Sequence, residues 1–331
     1  SSMTKQKEPS KQEKCLVNVL VDKRCKAHET GPGHPEQVAR FDAVQAGTKK
    51  VMKKGEQRLK LLEFKSAEIT ELLRCHEEKY LIAAEMDISN GLGMLSTGDT
   101  NICMQSWEIA KLTAGAALEG VNAVFGKSGI RRSFCGMRPP GHHATADRGM
   151  GFCLLNNVAI AARHAQAAHG AEKVLIVDWD VHHGNGTQDI FYEDESVFFF
   201  STHQSPWYPG TGAKNETGSG KGQGTVLNRP FAAGAGRKEI YGAFEKDLLD
   251  AANRFKPDLV IISAGFDSRV EDPLGHFRLT DEDFADLTKL MIKIADDHAE
   301  GRLLSALEGG YNLEGLKHAV TAHVGALAGL S

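Results

Sequence analysis

The chain has 331 residues, with 39 Lys and Arg against 43 Asp and Glu. That length supports one large α/β domain or two small ones, and the slight acidic excess excludes the basic face that direct nucleic-acid binding needs. No apolar run nears the roughly 18 residues of a membrane span. The six cysteines form no C-x-x-C pair, which predicts reduced thiols in a cytoplasmic compartment, or the nucleus in a eukaryotic cell.

Residues 1–14 are polar and Lys-rich and predict a disordered tail, with 15–331 as the folded domain. Ser1 and Ser2 ahead of Met3 read as an expression scar, and the start lacks the apolar stretch of a signal peptide. A short apolar strand over 15–21 ends in a turn-rich loop, Gly31-Pro32-Gly33-His34-Pro35. Pro35 biases His34 away from helix, so His34 reads as a turn or rim residue before a ligand. A helix over 36–54, a strand over 59–64 and short helices over 69–75 and 77–86 follow. A glycine-bearing loop over 91–99 ends at Asp99, which reads as a surface acid. Over 106–125, Trp107, Ala110, Ala114, Leu118 and Val121 keep helical spacing and predict a packed helix with Trp107 in the core.

A strand over 132–137 runs into Arg138-Pro139-Pro140-Gly141-His142-His143. Two prolines and a glycine forbid helix there, and both histidines can exchange protons near neutral pH. Gly149-Met150-Gly151-Phe152-Cys153 is a second tight loop. A small-residue helix over 157–169 places His164 and His169 at the surface. The apolar run 173–177 predicts a fully buried parallel strand. It opens into Asp178-Trp179-Asp180-Val181-His182-His183-Gly184-Asn185-Gly186. Asp180 and His182 alternate by two and leave the chain on one side, a start for a divalent-metal site. The alternative is a polar strand end with solvated acids.

A strand over 197–200 ends at Ser201-Thr202-His203, and the loop Pro206-Trp207-Tyr208-Pro209-Gly210 follows. The tract 218–225 is glycine-rich, but its spacing fails the phosphate-loop pattern and a strand follows it, so it reads as a flexible connector. An amphipathic helix over 239–255 precedes a buried strand over 259–262, which ends near Asp267. Thr280 and Asp283 resemble a capping box that opens the next helix. The last strand, 303–307, ends at Glu308-Gly309-Gly310-Tyr311, and a helix over 313–327 closes the chain. No repeat or linker divides it.

Five apolar strands thus end in chemically loaded loops. In a parallel sheet these ends share one edge, where ligands bind. Converged, they offer Asp180, His182 and Asp267 for Zn²⁺ with open positions, a histidine pair for proton transfer, and Tyr311 as a donor to an oxyanion. Two glycines before Tyr311 would free it to move. Asp178 lies one step deeper, placed to orient a histidine or to bind a second cation. This set suits metal-assisted hydrolysis, although two carboxylates and one imidazole also accept Fe²⁺ or Co²⁺.

The Arg138-Pro139-Pro140-Gly141-His142-His143-Ala144 motif, Gly151-Phe152-Cys153-Leu154-Leu155-Asn156-Asn157, the stretch 178–188, Ala264-Gly265-Phe266-Asp267 and Leu307-Glu308-Gly309-Gly310-Tyr311-Asn312-Leu313 resemble the zinc-dependent histone deacetylase family, class II and its bacterial relatives. The resemblance spans about 15–325. It implies a single-domain arginase/deacetylase α/β fold, mostly parallel, with helices on both faces, and removal of acyl groups from lysine-like amines. By motif, Asp180, His182 and Asp267 match the zinc ligands. His143 matches the general base and acid, and His142 the electrostatic partner bonded to Asp178. Asn185 would contact His143, and Tyr311 matches the catalytic phenol. Phe152 and Tyr208, with Gly151, would wall the acyl-lysine tunnel. Tyr208 departs from the usual phenylalanine. Asp178 and Ser201 would help bind a structural K⁺. The family's substrate-gripping rim acid has only Asp99 as a weak match.

Three functions fit this resemblance. The first is hydrolysis of N-acetyl-lysine in proteins. The second is hydrolysis of acetylated polyamines, whose specialists carry a rim glutamate and a narrowing helix that find no match here; Asp194-Glu195 is a poor substitute. The third is a non-catalytic acyl-lysine binder, against which the intact His142, His143 and Tyr311 count. Oligomeric state is not legible.

Overall fold

A computed structural model describes residues 14–330. The predicted tail, bar Lys14, lies outside the described residues. Among these, eight strands form one sheet: β1 (Val17–Leu20), β2 (Leu59–Leu61), β3 (Arg132–Cys135), β4 (Val174–Asp178), β5 (Val197–Gln204), β6 (Val226–Phe231), β7 (Leu259–Ala264) and β8 (Leu303–Leu307). Their order is β2-β1-β3-β8-β7-β4-β5-β6, and every pairing is parallel. The five strands with loaded ends, β3, β8, β7, β4 and β5, are therefore consecutive neighbours.

The apolar runs are continuous because both sheet faces are covered. Along β4, Val174 and Ile176 join one core layer while Leu175 and Val177 join the other. On the first side lie α4 (Ser106–Val124) and α5 (Asn157–His169). On the second lie α9 (Asp281–His298) and α10 (Leu313–Leu327). The remaining helices are α1 (Ala39–Gly55), α2 (Ile69–Leu72), α3 (Glu78–Ser89), α6 (Asn185–Phe191), α7 (Arg237–Ala243) and α8 (Leu249–Phe255). A π-helical turn, Phe244–Leu248, joins α7 to α8, so the helix expected over 239–255 is one helical stretch that starts two residues earlier, at Arg237.

Several boundaries differ from the sequence reading. The first helix starts at Ala39, and Glu36 ahead of it forms a buried ion pair with Arg138 and Arg40. β2 is shorter than expected and forms the sheet edge. β5 runs on to Gln204 and takes Ser201 and His203 into the strand. The tract 218–225 contains a 3-10 turn, Gly220–Gly222. Trp107 is buried and the Thr280–Asp283 capping box is present. His164 contradicts its surface assignment: it is buried, with Nε2 2.7 Å from Asn122 Oδ1 and Nδ1 3.2 Å from Arg74 Nη1. Its partners sit on distant elements, so local spacing could not reveal them.

Candidate active site

Parallel pairing lines up the strand ends. Asp178 stands opposite Ser201 on β5 and Ser263 on β7. Beyond β4 the chain bends, and Asp180 and His182 meet Asp267 from the β7 loop. One donor atom from each of the three lies within 4.8 Å of the others, and all three residues are buried. His182 Nδ1 is 3.2 Å from both Asp180 Oδ1 and Asp267 Oδ2. Burial, then the charge of Asp180, pushes the Asp267 carboxyl above the usual carboxylate range. The backbone donates to this cluster: Gly309 N–H reaches Asp180 Oδ2 at 2.8 Å, and Val181 N–H reaches Asp267 Oδ1 at 2.8 Å. Two buried carboxylates converging on one imidazole form a donor set that fits a divalent cation and keeps positions open.

Gly309 explains part of the Gly-Gly pair. A Cβ there would collide with the Asp267 carboxylate. The pair therefore serves close approach to the acids, and Gly310 adds a φ of 122°. Freedom for Tyr311, the reason inferred from sequence, is not needed to account for them. Tyr311 is buried, its N–H donates to Asp272 Oδ2 at 2.8 Å, and the Arg40 guanidinium lies 4.9 Å from its ring centre.

The histidine pair occupies the turn after β3. His142 Nδ1 is 2.7 Å from Asp178 Oδ2, and His142 Nε2 is 3.7 Å from Asp180 Oδ2. Burial opposes a charge on His142, yet Asp178, Asp180 and Glu308 together raise its pKa well above the ordinary value. His143 goes the other way. Burial, followed by repulsion from His142 and His182, holds it well below the ordinary imidazole value. His143 Nδ1 is 2.7 Å from Asn185 Oδ1, whose amide nitrogen donates to the His143 carbonyl at 3.3 Å. An amide oxygen only accepts, so Nδ1 carries the hydrogen and Nε2 keeps its lone pair. The two adjacent histidines thus differ in protonation.

A cavity of about 310 Å³ leads down to this group, lined by Asp99, His143, Gly151, Phe152, His182, Trp207, Tyr208, Leu274 and Tyr311. Phe152 sits edge-on to Tyr311 at 5.9 Å and to His34 at 4.7 Å. The Tyr208 ring stands perpendicular to His143 at 5.3 Å. Asp99 spans the mouth: Oδ1 accepts Gly151 N–H at 2.8 Å and Oδ2 accepts the Tyr208 hydroxyl at 2.7 Å. Ser201 Oγ lies 2.9 Å from His203 Nδ1, beside Asp178 on the neighbouring strand.

Asp99, a weak candidate from sequence, stands in the cavity wall, and Glu36, Arg40 and Glu308 have no role legible in the sequence. Arg40 donates to the carbonyls of Gly310 and Glu308, both at 2.7 Å, and Arg138 pairs with Glu36 at 2.8 Å. The one local signal was charge inside otherwise apolar or turn-forming motifs.

Fold and site define a class: an α/β enzyme whose acid–histidine chemistry is gathered at the carboxyl ends of parallel strands. Residues 34–327 match the histone deacetylase domain, and the chain belongs to that family. It is 40% identical over 311 residues to "Histone deacetylase 14, chloroplastic" of Arabidopsis thaliana, covering 89% of this chain and 73% of that one. It is 39% identical over 285 residues to "Polyamine deacetylase HDAC10" of Danio rerio, covering 82% and 41%. Among solved structures, the HDA15 HD domain superposes with a TM-score of 0.89 at 37% identity, covering 96% of this chain and 90% of that one. The chain is a deacetylase.

Proposed function

We propose that the chain hydrolyses the amide of N-ε-acetyl-lysine in proteins, with His143 as general base and acid and Tyr311 as oxyanion donor. The observation that carries this reading is the unequal histidine pair beside the Asp180–His182–Asp267 cluster at the base of a narrow, largely apolar cavity.

The acylated side chain enters between Phe152 and Tyr208, which exclude water around its methylenes. Asp180, His182 and Asp267 would hold Zn²⁺, which supplies positive charge to polarise the acyl carbonyl and to acidify water. His143 Nε2 takes the proton of the attacking water as oxygen bonds to the carbonyl carbon. Asn185 keeps His143 in the tautomer that can do so. The Tyr311 hydroxyl donates to the oxygen that gains charge. His143 then returns its proton to the departing nitrogen as the C–N bond breaks, leaving acetate and a free amine. His142, tied to Asp178, stays protonated and adds positive charge without transferring it. Asp178 and Ser201, with backbone carbonyls, are the proposed holders of a structural K⁺.

A second reading, hydrolysis of acetylated polyamines, is favoured by one feature. The Asp99 carboxylate at the mouth would attract a free ammonium. Turnover of an acetyl-lysine peptide against acetylputrescine, for the unsubstituted chain and His143→Ala, tests both. A higher kcat/KM on the peptide, lost in His143→Ala, is expected. Preference for acetylputrescine would move the function to the second reading, and turnover of neither would place the substrate outside both classes.

A further inference from the structure

The turn that carries His142 and His143 has no regular structure to fix it, yet both rings must stand at a set distance from the cluster below. Asp178 and Asn185 orient the rings. The His142 carbonyl accepts Gly186 N–H at 3.0 Å, and the two amide donors of the turn are held by something else. Gly141 N–H and His142 N–H donate to the same oxygen of Glu308, at 2.8 and 3.1 Å. The other oxygen accepts the Ser263 hydroxyl at 3.2 Å. Glu308 is 0% exposed. It follows β8, which pairs with β3 on one side and with β7, the strand of Ser263, on the other. One carboxyl group thus joins the ends of three adjacent strands. Its own carbonyl is pinned by Arg40 Nη2 at 2.7 Å.

We propose that Glu308 is a positioning residue for the histidine pair, acting as a hydrogen-bond acceptor and not through its charge. This rests on the reading of His142 and His143 as the reacting pair. Two buried amide donors need an acceptor, and Glu308 Oε2 serves both. The acceptor role does not require ionisation, and among the three charges that raise the His142 pKa that of Glu308 comes after those of Asp178 and Asp180. Burial pushes the Glu308 carboxyl up to about 7. When protonated it can donate to Ser263 Oγ from one oxygen and leave the other to the amides. Glutamine reproduces this pattern, with its oxygen on the amides and its nitrogen donating to Ser263. Aspartate keeps the charge but is shorter by one carbon–carbon bond, roughly 1.5 Å, and cannot reach both partners without moving the turn.

Glu308→Gln and Glu308→Asp therefore separate reach from charge. The measurement is kcat and KM on an acetyl-lysine peptide, with bound metal determined on the same samples. Glu308→Gln is expected to stay within about threefold of the unsubstituted kcat. Glu308→Asp is expected to lose roughly 10- to 100-fold in kcat, the scale of a displacement near 1 Å, with KM within about threefold and metal content unchanged. The reverse order, an active aspartate and an impaired glutamine, would overturn the proposal in favour of charge. Equal activity in both, equal loss in both, or a loss of metal that parallels the loss of kcat would also overturn it. An unsubstituted chain that turns over no acetyl-lysine would instead remove the functional reading, and this proposal with it.

Discussion

Tyr311 lies in the cavity wall beside the Arg40 guanidinium. Burial drives its phenol well above the ordinary pKa, with Arg40 pulling against it, so the hydroxyl keeps its proton at neutral pH and can donate. A donor that meets charge present only in the transition state acts on kcat and little on binding. Tyr311→Phe is expected to lower kcat by roughly 10²–10³ while hydroxamate affinity, metal content and Tm stay near those of the unsubstituted chain. Steady-state kinetics on an acetyl-lysine peptide decide this, and a kcat held within about threefold would make Tyr311 a packing residue. At this scale the sequence was informative for residues inside motifs. It was silent where a role depends on a distant partner: Asp99 reads as a surface acid until Tyr208, 109 positions away, is seen donating to it. His164 and Glu308 escaped for the same reason.

Between elements, polar links tie the helical layer to the sheet. His323 on α10 places Nδ1 2.6 Å from Thr288 Oγ1 on α9 and Nε2 2.7 Å from Ser305 Oγ on β8. Burial lowers its pKa to about 3. The unfolded imidazole titrates near 6.5, so acid loads protons onto the unfolded chain first. The stability held by the neutral ring is complete above about 6.5 and is lost as pH falls from there toward 3. The slope for one proton is about 1.4 kcal/mol per pH unit, giving about 2 kcal/mol between pH 6.5 and 5. Unfolding free energies at pH 7.5 and 5 are expected to show that much less acid sensitivity in His323→Gln than in the unsubstituted chain. Identical pH dependence would mean that His323 carries a proton inside the fold. Nothing local marks His323, which sits in a helix of small residues. The strands were legible for the opposite reason: burial on both faces leaves a signature within five residues, as in 173–177. Their lengths were not, since the edge position of β2 and the extension of β5 depend on neighbours.

Across the whole molecule, function follows from strand order. Five chemically loaded ends lie far apart along the chain, and the order β3-β8-β7-β4-β5 makes them adjacent. Convergence could be inferred from a parallel sheet, but that no unloaded strand interrupts them could not. No helix among the described residues is long and apolar enough to cross a membrane. We propose that the converged Asp180, His182 and Asp267 hold a metal on which deacetylation depends. Deprived of a cation, their two buried carboxylates repel each other, so metal removal should lower Tm as well as rate. The direct measurement is turnover of an acetyl-lysine peptide before chelation, after it, and on stepwise return of Zn²⁺, with metal content on every sample and Asp267→Ala alongside. Activity is expected to vanish on chelation, to return as occupancy approaches one zinc per chain, and to stay absent in Asp267→Ala together with the metal. Full turnover by metal-free protein, or full zinc occupancy in Asp267→Ala, would contradict it.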